Sequence, residues 1–105
     1  MILEVAMNDK WKDTCLESWK GVLDLDDWII TTEAIAPESV VYDSDIPAKD
    51  RYYVGVQADP EKRIATIYHD RDLTEEDIVH ELLHVAQPKW SEWQVNRVTE
   101  LLLEE

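Results

Sequence analysis

Residues 74–96, TEEDIVHELLHVAQPKWSEWQVN, decide how this chain is read. Thr74 and Asp77 stand three apart, close to a capping box, with Glu75 and Glu76 suited to the positive end of a first helical turn. The spacing predicts a helix from there to about Gln87, ending before Pro88. Ser91 and Gln94 repeat the capping signature and open a last helix to about Leu103, with Val95, Val98 and Leu102 as its apolar stripe.

Within the first of these helices stands His80-Glu81-Leu82-Leu83-His84. Residues four apart share a helix face, so both imidazoles can aim a nitrogen at one point. Neutral imidazole suits Zn²⁺, and a catalytic zinc site takes three protein ligands and keeps one position open. Glu81 borders the same face without competing for the metal, where a carboxylate can take a proton from an attacking water and pass it to a leaving amine. No histidine follows His84, so the third ligand must be a carboxylate, and Glu92 and Glu100 are available. A turn as short as Pro88 to Trp90 folds the last helix back antiparallel, which puts Glu92 level with His84. Glu100 would be displaced by roughly 12 Å at 1.5 Å per residue, so Glu92 is the expected ligand. Asn96, one turn beyond Glu92, and Asp77, one turn before His80 and Glu81, could accept the second N–H of a zinc-bound imidazole.

Upstream, Trp11, Cys15, Trp19 and Val22 mark an amphipathic helix over about Asn8–Leu23, broken by Asp24, Asp26 and Asp27. Trp28–Ile35 reads as a strand stopped by Pro37, which Val40–Tyr42 extends or bends. Tyr52–Ala58 and Arg63–His69 form a hairpin across the DPEK turn, where Pro60 fixes φ. The order is helix, three strands, helix, helix. That is an α+β domain over residues 1–105, with helices packed on one face of a small three-stranded antiparallel sheet.

A formal charge of −14 on 105 residues argues against nucleic acid or an anionic membrane as partner, since both need a basic surface. It favours cations and basic peptides. Cys15 is the single cysteine and falls on an apolar helix side, which fits an inert buried thiol and a reducing compartment. There is no signal-peptide pattern and no apolar run of membrane-spanning length, so a cytoplasmic location is expected. Neither the substrate nor the oligomeric state is encoded in any of these features.

The motif resembles that of the gluzincin metallopeptidases: His80-Glu81-Leu82-Leu83-His84 matches their zinc-binding sequence, and Glu92 with Asn96 resembles their glutamate helix. Size and element order are similar to those of the minigluzincins, a minimal zincin-like domain. The resemblance implies a zinc-dependent peptidase, with His80, His84 and Glu92 holding zinc and Glu81 as general base and then acid. It also implies that an extended substrate pairs with an edge strand, here Val54, Gly55 and Val56 within Tyr52–Ala58. The gap from His84 to Glu92 is shorter than in most gluzincins, which implies a shallow cleft. Tyr68, His69 and Arg97 have the chemistry to steady an oxyanion, although a structural role is the expectation for each. Two other readings compete: a zinc-binding structural or interaction protein with little turnover, and an acidic interaction module without metal. A SprT-like protease fits less well, because that group uses a third histidine and basic nucleic-acid elements.

Overall fold

A computed structural model describes residues 2–36 and 53–104, with side chains described from Trp11 onward in the first helix. Six elements follow one another: α1 (Ile2–Val22), β1 (Ile29–Ala34), β2 (Val54–Asp59), β3 (Ile64–His69), α2 (Glu75–Ala86) and α3 (Glu92–Leu103). This is a small α+β fold of three helices and a three-stranded sheet. Pro37, the Val40–Tyr42 extension of the first strand, and Tyr52 lie outside the described residues.

The sheet is mixed, which corrects the expectation of an antiparallel one. β3 occupies the centre, pairing antiparallel with β2 and parallel with β1. The register gives the reason. Ala34 at the end of β1 and Val54 at the start of β2 both stand opposite His69, so β1 and β2 run in opposite directions but are not neighbours. β3 lies between them and must parallel one of the two. It is also the strand best suited to the centre, because Ala65, Ile67 and His69 on its inner face are all buried.

The inner face of the sheet and α2 enclose the main core, where Ile67, Ile78 and Leu82 are fully buried beside Cys15, Leu16, Leu25 and Ile30. The inward residues of α1 are Cys15, Leu16 and Trp19, followed by Leu23 just past its end. The stripe expected at Trp11 and Val22 is shifted, since Val22 is 63% exposed and Trp11 44% exposed. Leu16 and Leu23 lie seven apart, two helical turns along one face, and Val22 falls about 100° away from Leu23. Helix α1 stops without a glycine: Asp24 takes a left-handed φ of 61° while Leu25 N–H bonds to Lys20 O at 2.8 Å. At the hairpin turn, Asp59 accepts from the amides of Glu61 and Lys62 at 3.1 and 3.3 Å.

A second, smaller cluster joins the last two helices. Val79 and Leu83 of α2 meet Val95 of α3, flanked by Trp90, Val98 and Leu103. Leu103 rather than Leu102 completes the α3 stripe, together with the buried Thr99. None of the described helices is long and apolar enough to cross a membrane.

Candidate metal centre

Local sequence fixes the start of each helix that carries the motif. Thr74 and Asp77 form the capping box of α2 with both bonds present, and Ser91 with Gln94 does the same for α3. Between them Gln87 N–H bonds to Leu83 O at 2.8 Å and Trp90 N–H to Gln87 O at 3.1 Å, a turn tight enough to reverse the chain. The α2–α3 cluster then holds the helices side by side.

That arrangement brings the expected donors together. His80 and His84 face each other at 3.2 Å between their Nε2 atoms, with the rings edge-on at a centroid distance of 4.9 Å. Glu92 Oε1 is 2.5 Å from His80 Nε2 and 3.4 Å from His84 Nε2. Donor atoms of His80, His84 and Glu92 all lie within 4.8 Å of one another, and no other such group of histidine, cysteine and carboxylate donors occurs among the described residues. Glu100 instead pairs with Arg97 at 3.3 Å on the exposed side of α3.

Do these spacings fit a zinc ion? Ligands 2.0–2.1 Å from a tetrahedral centre lie roughly 3.3 Å apart along each edge. The distances of 3.2 and 3.4 Å match that edge. The 2.5 Å contact is shorter, but the Glu92 side chain is 63% exposed and free to swing by less than an ångström. Two imidazoles and a carboxylate are also a donor set that zinc takes. The residues fit the metal.

Glu81 stands beside this cluster and is only 6% exposed. Burial, then the negative charges of Glu92 and Asp77, push its carboxyl up to about 8. It opens on two adjoining cavities. One, about 430 Å³, runs between His80, His84 and Pro88 on one side and Tyr53 with Val54 to Val56 of β2 on the other. The second, about 290 Å³, lies between α2 and α3 and is lined by Glu76, Asp77, Asn96 and Val54 together with Glu81. A further cavity of about 420 Å³ at the hairpin holds a single carboxylate, Asp59, already bonded to backbone amides.

The remaining expected residues are placed as follows. Val54, Gly55 and Val56 lie on β2, at one edge of the described sheet, and face the donor cluster across the larger cavity. Asn96 lines the smaller cavity. Asp77 is engaged elsewhere: Arg71 grips it at 2.8 and 2.9 Å and the Thr74 amide donates to it at 2.9 Å. Tyr68 sits opposite Gly55, between the inward-facing Ile67 and His69. His69 is buried with Nδ1 2.8 Å from Arg71 O, and neither it, Tyr68 nor Arg97 lines the cavities beside the cluster.

Sequence reasoning missed Tyr53. It lines the larger cavity at the entry to β2. The ring lies over Gly55, where a Cβ would come within 2.5 Å of the Tyr53 hydroxyl oxygen. An isolated glycine within a strand signals such a close approach, and that was the available clue. Glu76 was read only as a charge near the helix start, and its position on the cavity wall depends on how α3 docks.

Comparison with protein-family models, with curated proteins and with solved structures finds nothing that matches this chain.

Proposed function

We propose that this chain is a zinc-dependent peptidase of minimal zincin-like form, acting inside the cell. One observation carries the reading: three metal donors converge from two helices, with a buried carboxylate beside them, on a cleft bordered by an edge strand. His80, His84 and Glu92 would hold Zn²⁺. When bound, such an ion acts as a Lewis acid on a carbonyl and makes water more acidic.

The chain's own residues supply the rest. Glu81 accepts the proton that the attacking water loses and delivers it to the amine nitrogen as the peptide bond breaks. β2 has a ladder partner on one side only within the described sheet, so Val54, Gly55 and Val56 can pair with an extended substrate backbone.

The competing reading, zinc held for structure or interaction, favours a closed site with four protein donors. Here three donors converge, and the Glu92 side chain is well exposed. The discriminating experiment is peptide or casein cleavage by the zinc-loaded wild type and by Glu81→Gln with equal zinc content. Cleavage by the wild type alone supports the peptidase. Cleavage by both removes Glu81 from the mechanism, and cleavage by neither favours the structural role.

A further inference from the structure

The two cavities beside the donor cluster differ in chemistry. Both are lined by Val54, His80, Glu81 and Glu92, and the larger adds Gly55, Val56, Ala58 and Pro88. The smaller has carboxylates from both helices, Glu76, Asp77 and Glu81 from α2 and Glu92 from α3, with the Asn96 amide between. Asp77 is already matched by the Arg71 guanidinium, and Glu92 belongs to the metal donor set. Glu76 and Glu81 remain. Glu81 is 94% buried, aims into this cavity, and receives no hydrogen bond from a described residue. The carboxylates of Glu76 and Asp77 do not join the convergent group, so their spacing does not suit a second compact ion. Spread negative charge suits a side chain that ends in a cation. At about 30 Å³ per water, 290 Å³ equals the room of roughly ten water molecules, enough for a lysine or arginine chain.

We infer that the cavity between α2 and α3 is a specificity pocket for a basic side chain, Lys or Arg, flanking the bond to be cut. This rests on the peptidase reading and names the substrate class of that site. Glu76, on the first turn of α2 and exposed to solvent, pairs with the incoming cation, while the Asn96 carbonyl accepts one of its N–H groups. The surplus of fourteen negative charges over the chain raises the local concentration of basic peptides.

The test uses the full zinc-loaded chain and sets of peptides identical except for Lys, norleucine or Glu scanned through the positions flanking the bond. Lys at one flanking position should raise kcat/KM roughly tenfold or more over norleucine, as one charge-assisted hydrogen bond allows, and Glu should lower it. Glu76→Lys should reverse the order of the Lys and Glu peptides. Glu104→Lys makes the same charge change at the far end of α3 and should leave that order intact. Norleucine or Glu peptides cut as well as Lys peptides at every position would overturn the pocket, as would equal effects of the two substitutions. If no peptide is cut, the peptidase reading fails, and the same peptides, fluorescently labelled, decide the pocket by anisotropy on the zinc-loaded wild type. Lys peptides binding at least tenfold tighter than Glu peptides, with reversal by Glu76→Lys alone, keep it, and equal binding ends it.

Discussion

Glu81→Gln should stabilise the metal-free protein while it abolishes turnover, and the gain should depend on pH in a defined direction. In the folded chain burial and the charges of Glu92 and Asp77 hold the Glu81 carboxyl at about 8, against an ordinary 4.5. Between those values the folded state binds a proton that the unfolded state has released. Stability therefore falls as pH rises through the window and is flat on either side. At about 1.4 kcal/mol per pH unit, the full span has a ceiling of about 5 kcal/mol, of which about 3 kcal/mol is lost by pH 7. Glutamine keeps the shape of the side chain and cannot ionise, so the variant lacks this slope.

The assay is urea unfolding of both proteins in chelator from pH 4.5 to 9, taking the difference between their unfolding free energies at each pH. Other titrating groups are common to the pair and cancel to first order. The difference should be near its minimum at pH 4.5, grow by about 3 kcal/mol by pH 7 and level off above pH 8. Saturating zinc should flatten the curve, because a nearby dication favours the ionised carboxylate. A difference that stays constant across the window would show that Glu81 is solvated as an ordinary surface glutamate, and the low-dielectric account of this cleft would be wrong.

Three further outcomes follow from the same geometry. His84→Ala should take zinc content from one equivalent per chain to none and weaken affinity roughly hundredfold or more, beyond the effect of losing an outer partner, whereas Glu100→Gln should retain the metal; elemental analysis after dialysis reads both. Leu83→Ala opens the contact that seats Val95 and should cost about 2–5 kcal/mol in urea unfolding, with a weaker zinc affinity because α3 carries Glu92. Normal zinc affinity in that variant would mean that α3 docks without this cluster. Arg71→Ala removes both bonds to Asp77 and should lower stability by about 1–3 kcal/mol. It should also move the Glu81 window upward, since the Asp77 charge is then unmatched, and an unchanged window would uncouple the two carboxylates.

How much of this was legible in the sequence depended on the range of the interaction. Thr74 with Asp77 and Ser91 with Gln94 act within four residues, and both capping boxes form as their spacing implies. The levels of Glu92 and Glu100 also followed from local terms, namely a short turn and the helical rise. The antiparallel sheet failed because strand order is a long-range property. Alternation in IITTEA, VGVQAD and IATIYH marks strands but does not say which two flank the third. The α1 stripe failed for a related reason: Trp11 and Val22 are apolar, but the sheet and α2 select the face bearing Leu16 and Leu23.

The same distinction explains why the donor set could be found and the cavity beside it could not. His80, Glu81 and His84 are fixed relative to one another by a single helix, and the tight turn adds Glu92, so four positions need no knowledge of the sheet. Glu76 and Tyr53 reach the cleft only after α3 and β2 have docked against α2. A donor set can therefore be read from spacing alone, whereas the walls of the cleft are drawn from three elements. Small shifts in that docking should change substrate choice before they disturb the donor triad, because the Val79, Leu83 and Val95 contact that positions Glu92 is separate from the strand edge that completes the cleft.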